Sequence, residues 1–176
     1  QDFLPRMMAQ KGRHISGGVP EGYRALIISD LARLGGDRCV YVARDASALA
    51  SLSRALTFFA PDMPIVEFPA WDCLPYDRLS PQPTASATRM ATLARLPALS
   101  GTPHLVLTTV SAVMQYVPPR DLVAARVFHA RPGQDLDTEA LIGFLTANGY
   151  SRCSTVMEPG DFAVRGGIID LFPPGD

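Results

Sequence analysis

The chain has 176 residues, of which 47% are hydrophobic and 19% are charged, and its net charge is −1. This composition can bury a full core and excludes a disordered polar chain. The near-zero net charge gives no basic footprint for nucleic acid, and no apolar run approaches the about 20 residues of a membrane-spanning helix. Cys39, Cys73 and Cys153 have no metal-ligand spacing. We therefore expect reduced thiols in a cytoplasmic protein without a metal or other cofactor.

The first 14 residues are polar and irregular, and nothing in them resembles a signal peptide. Residues 22–34 then carry apolar side chains at helical spacing, and Gly35-Gly36 ends the predicted helix.

The segment from Gly18 to Ala25 has the spacing of a phosphate-binding loop but lacks its chemistry. A working loop reads G-x-x-x-x-G-K-[ST] before a helix. Here Tyr23 replaces the second glycine, Arg24 replaces the lysine, and Ala25 replaces the hydroxyl residue that binds Mg²⁺. Spacing alone favours the interpretation that Gly17, Gly18 and Gly22 are ordinary loop glycines. We expect no nucleotide to bind here.

Short buried strands alternate with helices as far as residue 116. Continuous apolar runs predict parallel strands at 39–43, 65–68 and 105–110. Asp45 is a candidate cap for a helix whose apolar face runs from Leu49 to Phe59, and further helices are predicted over 85–96 and 111–116. This βαβ order is typical of a parallel sheet with helices on both faces. We therefore predict an α/β domain over residues 1–119.

A proline-rich loop is predicted over residues 69–84. Trp71 can anchor this loop against the core or stack on a base, and the lack of nearby basic residues favours the anchor. Asp72 and Asp77 could be paired carboxylates for acid–base chemistry. Because they have no His, Lys or metal partner nearby in the sequence, we interpret them as turn caps. No catalytic set is predicted.

The pattern changes after Pro118-Pro119, and a small α+β domain is predicted from residue 120 onward. Val123 to Phe128 alternates like an antiparallel strand, and Leu136 to Asn148 has the spacing of a helix. Further strands are predicted over 152–157, 161–165 and 167–172, separated by glycines.

Two long motifs carry a resemblance to a known family. Residues 68–81 read FPAWDCLPYDRLSP, and residues 158–173 read EPGDFAVRGGIIDLFP. Both closely resemble the N-terminal region of the bacterial transcription-repair coupling factors, which is itself similar to the excision-repair helicase subunit UvrB. The resemblance implies a degenerate RecA-like half-domain over 1–119, without a functional phosphate loop. It also implies that residues 120–176 begin a small UvrA-interaction domain that continues past residue 176.

The resemblance implies a non-catalytic adaptor that recruits UvrA to stalled transcription complexes in nucleotide excision repair. Contacts with RNA polymerase and double-stranded DNA, and ATP-driven translocation, would belong to later domains of the parent protein. Two alternatives are a divergent NTPase half-domain that uses Arg24, and a DNA-binding module. The loss of the Mg²⁺ ligand at Ala25 disfavours the first alternative, and the lack of a basic patch disfavours the second.

The predicted UvrA site comprises Asp161, Phe162, Arg165 and Gly166. The family resemblance places a UvrA-contacting arginine at Arg165, next to a glycine turn. The residues alone allow another interpretation, a surface ion pair of Arg165 with Asp161 or Asp170. Phe162 can be an exposed aromatic anchor, or a core residue if the strand alternates strictly.

Overall fold

The computed structural model describes residues 3–73, 83–128 and 130–173. The chain divides into two compact units. The first unit comprises Gln1–Pro81 and Arg95–Tyr116, and the second comprises Gln82–Ala94 and Val117–Asp176. Each unit contains one three-stranded sheet.

The helices and strands follow one another in chain order. They are α1 (Phe3–Ala9), α2 (Glu21–Gly35), β1 (Arg38–Ala43), α3 (Ala46–Phe59), β2 (Ile65–Phe68), α4 (Pro83–Arg95), a 3-10 helix (Leu96–Leu99), β3 (His104–Thr109), α5 (Val110–Val113), α6 (Arg120–Ala124), α7 (Thr138–Ala147), β4 (Ser151–Arg152), β5 (Asp161–Arg165) and β6 (Ile168–Leu171).

The sheet of the first unit is parallel, with strand order β1-β3-β2. The central strand β3 is buried along its whole length, which agrees with the apolar run Leu105 to Leu107 at its centre, between His104 and two threonines. Thr108 meets its hydrogen-bonding need by donating its hydroxyl to the Phe68 carbonyl at 2.8 Å. The prediction of three parallel strands in an α/β arrangement is confirmed. The expected burial of β1 was wrong: it is an edge strand, and its Val40 and Val42 are 53% and 43% exposed.

Helices α2 and α3 build the core of the first unit. Helix α3 begins at Asp45, whose side chain accepts the Ala48 N–H at 2.9 Å, and leucines at 49, 52 and 56 form its buried face. Helix α2 ends at Gly36, which has φ +67° and donates its N–H to the Ala32 carbonyl at 3.2 Å. The shared apolar core includes Ala25, Ile28, Ala32, Leu49, Leu52, Leu56, Leu105 and Leu107.

The expectation of an irregular N-terminus was wrong. Residues Phe3–Ala9 form helix α1, which contacts α2. Half-buried Leu4 and Met7 are three residues apart and therefore lie on one face of the helix. Pro5 lies in the first turn, where a missing N–H costs nothing.

The second unit contains a mixed sheet of order β4-β5-β6. Strand β4 is parallel to β5, and β5 is antiparallel to β6. Helix α7 begins at Asp137, which accepts the Ala140 N–H at 2.9 Å, and it supplies Leu141 and Leu145 to the core. The predicted helix over 136–148 and the strands over 161–165 and 167–172 are confirmed.

Two strand predictions in the second unit were wrong. The stretch from Val123 to Phe128 is not a strand: Val123 lies buried in helix α6, which begins after Pro119. Pro119 immediately precedes the first helical residue, with φ −56° and ψ 148°, and at that place a proline removes no hydrogen bond from the helix. In the 152–157 segment, only Arg152 belongs to a strand.

The two units interleave along the chain. Helix α4 belongs to the second unit, although the sequence-based division assigned it to the first domain. The division at residues 119 and 120 stays a prediction.

Candidate protein-binding site

A β-hairpin places Arg165 beside a tight turn. Arg165 is the last residue of β5 and lies directly opposite Ile168, the first residue of β6. Gly166 and Gly167 form the two-residue connection, and Gly166 has φ +60°. Such hairpin turns need positive φ, which glycine adopts without steric cost. The glycines therefore fix the register that positions Arg165.

The Arg165 side chain is exposed and forms one ion pair. Its exposed fraction is 62%, and its Nη2 donates to the Asp170 Oδ2. Asp170 lies opposite Ala163, so the pair runs diagonally across one face of the ladder. Of the two acidic partners considered from the sequence, the structure shows Asp170 and not Asp161. Because exposed ion pairs contribute only about 0.2–1 kcal/mol, this contact leaves Arg165 available to a partner.

Sequence reasoning missed Ile168, which lies next to Arg165 on the same face. Its exposed fraction is 64%, unusual for an isoleucine in a strand. The signal was present in the sequence: in a two-residue hairpin, the residues that flank the turn are cross-strand neighbours. Ile168 and Arg165 together offer an apolar contact beside a cation.

Phe162 is a core residue and not a surface anchor. Its exposed fraction is 1%, and it packs with Leu141 and Leu145 of α7. Of the two alternatives considered from the sequence, the structure supports the core one. Phe162 lies opposite Leu171, and the strand alternation places it on the face away from Arg165.

Asp161 organises the loop before β5. Its Oδ2 accepts the N–H of Met157 at 3.2 Å and the N–H of Glu158 at 3.0 Å. The one oxygen Oδ2 thus accepts two backbone N–H groups of the same loop, and the side chain is half-buried. Asp161 therefore stabilises the loop that leads into β5. Of the four predicted site residues, Arg165 and Gly166 lie at the exposed turn.

The phosphate-loop-like segment is mostly helical. Gly18 has φ +67° and lies in a loop, whereas Gly22, Tyr23, Arg24 and Ala25 all lie in the first turns of α2. The N–H groups of Tyr23 and Arg24 donate to the Pro20 carbonyl at 3.1 and 3.2 Å. Ala25 is completely buried in the core. The alignment of Tyr23 with the second glycine implied that it lies in a loop that wraps a phosphate. Tyr23 instead lies in the first turn of α2.

A shallow cleft lies beside this segment. It encloses about 400 Å³ and is lined by Ser16, Gly18, Val19, Arg24, Ile27, Ile28 and Tyr41. Among the described residues that line it, one is a cation and none is a carboxylate, so these residues offer no acidic ligand for Mg²⁺.

The backbone N–H of Trp71 donates to the Gln115 Oε1 at 2.8 Å, and the Trp71 side chain is half-buried. Asp77 and most of the proline-rich loop lie outside the described residues.

Burial raises the pKa of the Cys39 thiol. Within the described ranges, no group of three or more His, Cys, Asp or Glu side chains could hold a metal ion. No described helix is long and apolar enough to cross a bilayer.

Comparison with known proteins supplies the family relationship. Residues 128–176 match the family model described as UvrB interaction domain. The chain is 32% identical to the transcription-repair-coupling factor of Haemophilus influenzae over 174 residues, which are 98% of this chain and 15% of that protein. It is 30% identical to the Escherichia coli protein of the same name over 151 residues, 86% of this chain and 13% of that protein.

A third relative is similar over a shorter part of the chain. The transcription-repair-coupling factor of Rickettsia bellii is 33% identical over 138 residues, which are 78% of this chain and 12% of that protein. The chain thus spans between 12% and 15% of the length of these curated relatives. The resemblance that its two motifs predicted is confirmed: along nearly its whole length, this chain is similar to the transcription-repair-coupling factors of bacteria.

Proposed function

We propose that this chain is a non-catalytic adaptor that binds UvrA and recruits it to stalled transcription complexes in nucleotide excision repair. One observation carries the proposal. The segment that matches a UvrB interaction domain presents Arg165, an exposed arginine, beside a hairpin turn. The coupling of transcription to repair is taken from the relatives, which are transcription-repair-coupling factors. In this proposal the adaptor acts in the bacterial cytoplasm.

The first unit serves in this proposal as a scaffold derived from a RecA-like half-domain. Its parallel sheet supports that origin, and Ala25, which is fully buried and has no oxygen to offer Mg²⁺, argues against retained nucleotide chemistry. The curated relatives are far longer than this chain. We assign ATP-driven translocation and the contacts with RNA polymerase and double-stranded DNA to parts of the parent protein outside this segment.

The chemistry of the hairpin suits a protein partner. A guanidinium can form two parallel hydrogen bonds with one carboxylate, and arginine is common among residues that dominate binding energy. Ile168 adds apolar area that can be removed from water beside that charge. We therefore expect the facing surface of UvrA to combine an acidic side chain with an apolar contact.

The test is a calorimetric titration of this chain into purified UvrA. Arg165→Ala should weaken binding by roughly 2 kcal/mol or more, about 30-fold in affinity, because a central charged contact is lost. Arg126→Ala is the matched control: it removes an exposed arginine from the same unit, away from the hairpin. Its affinity should stay within about twofold of the unchanged chain.

The possible outcomes test separately whether UvrA is the partner and whether the hairpin is the binding surface. Equal binding by the unchanged chain and Arg165→Ala would retain UvrA as the partner and reject the hairpin surface. Absence of binding by a chain that is folded by circular dichroism would reject the adaptor proposal for this chain.

A further inference from the structure

The ion pair of Arg165 engages only part of the guanidinium. Nη2 donates to Asp170, whereas Nη1 and Nε have no protein partner in the part of the chain that the structure describes. A guanidinium carries five N–H donors in a planar fork, so one carboxylate cannot satisfy it. The remaining donors of Arg165 can accommodate a second acid.

Asp170 is well placed to hold the guanidinium. It lies within β6, opposite Ala163, and the ladder fixes its backbone on both sides through the pairs of Ile169 and Leu171. Arg165 lies at the strand end, where its side chain would otherwise sample many rotamers. Asp170, whose backbone is fixed by the ladder, therefore restrains the more mobile side chain of Arg165.

We propose that Asp170 is a positioning residue: it orients the Arg165 guanidinium so that Nη1 and Nε are presented to a carboxylate of the binding partner. The inference rests on the proposed function. It adds that Arg165 receives two acids at once, one from its own hairpin and one from UvrA.

The ion pair affects binding through the mobility of Arg165 and through the exclusion of water. Ordering a long side chain at an interface opposes binding, and a contact formed beforehand removes part of that cost. The ion pair contributes little while both groups are exposed, at 62% and 40%. Once a partner excludes water, the attraction between the charges becomes stronger. Because Arg165 has donors for both acids, Asp170 need not be displaced.

The first measurement compares two variants that make the same change in net charge. Asp170→Asn should weaken UvrA binding by about three- to tenfold, the range expected for freeing one long side chain. Glu139→Gln removes an exposed carboxylate from α7 of the same unit and should change the affinity by less than about twofold. Unchanged or tighter binding by Asp170→Asn would overturn the inference, and tighter binding would identify Asp170 as a competitor of the partner.

Repeating the Asp170→Asn substitution in an Arg165→Lys variant distinguishes positioning of Arg165 from a general structural role of Asp170. In Arg165→Lys, the ammonium has no fork to orient, so adding Asp170→Asn should change affinity by less than about twofold. If Asp170→Asn instead has the same factor in both backgrounds, it acts by another route and the inference fails. Thermal unfolding of each variant verifies that all are folded.

A third measurement does not involve UvrA. Nitrogen-15 relaxation of the Arg165 Nε–H reports the mobility of this side chain in the free protein. Asp170→Asn should make that group distinctly more mobile, whereas Glu139→Gln should not. Equal mobility in all three proteins would refute positioning even if UvrA binds. Failure of the unchanged chain to bind UvrA, with Arg165 restrained as described, would refute the proposed function instead.

Discussion

The side chain of Asp45 is held by two hydrogen bonds at the start of α3. Its Oδ1 accepts the Ala48 N–H at 2.9 Å, and its Oδ2 accepts the Arg44 Nε–H at 2.8 Å. The Ala48 N–H, followed by the Arg44 hydrogen bond, lowers the pKa of Asp45 below its usual range. A carboxyl with a lowered folded-state pKa stabilises the fold above its unfolded-state pKa, and this contribution disappears as pH falls through the folded-state pKa.

We therefore expect the stability difference between the unchanged chain and Asp45→Asn to depend on pH. Asparagine also caps helices, so the comparison isolates the charge. Thermal unfolding should show the unchanged chain more stable at neutral pH. The difference should shrink as pH falls below about 3.9, the ordinary pKa of an aspartate. A difference that stays constant down to the acid limit would contradict this assignment.

Phe162 and Ile168 provide opposite tests of core and surface. Phe162→Ala should lower the free energy of unfolding by about 3–5 kcal/mol, because it leaves a cavity against Leu141 and Leu145. Ile168→Ala should change it by less than about 0.5 kcal/mol, because the side chain is mostly exposed. Urea unfolding measures both. Equal destabilisation would mean that the hairpin faces are assigned incorrectly.

Helix α2 argues against the NTPase alternative at the scale of one element. We expect no Mg²⁺-dependent binding of a fluorescent ATP analogue in the micromolar range. Ala25, which aligns with the hydroxyl residue of a phosphate loop, is fully buried and has no oxygen that could bind Mg²⁺. Fluorescence anisotropy with and without Mg²⁺ is the measurement. Mg²⁺-dependent binding that Arg24→Ala abolishes would restore the NTPase hypothesis.

The predictability of each element from sequence depended on its length and burial. Strand β3 was predicted because burial on both faces leaves a continuous apolar run. Helix α3 was predicted because its leucines repeat at helical spacing. Helix α6 has five residues, and so short a window does not distinguish a period of 2 from one of 3.6. Its buried Val123 therefore fitted a strand equally well.

The candidate site was predictable where it depends on local sequence and not where it depends on strand register or tertiary packing. The glycine pair revealed the turn, so the place of Arg165 followed from local chemistry. The choice of Asp170 over Asp161 depended on cross-strand register, which the sequence alone did not settle. The inward direction of Phe162 depended on which face α7 covers, and that is a tertiary property.

The net charge of the whole chain bears on the DNA-binding alternative. At −1, the chain lacks the excess of cations that neutralises phosphates. We expect no micromolar binding to duplex DNA at about 0.15 M salt, the physiological range. Anisotropy of a labelled duplex over a salt series is the measurement. Binding that persists at this ionic strength, and that falls steeply as salt is added, would support a DNA-binding module.

The strand order of the first sheet has a consequence for synthesis on the ribosome. Strands β1 and β2 come first in the chain but do not pair with each other; both pair with β3. About 60 residues separate the end of β1 at Ala43 from the start of β3 at His104. At roughly 5–20 residues per second, β1 waits about 3–12 s for its partner. During that interval its apolar residues depend on α2 and α3, or on a chaperone, for protection from aggregation.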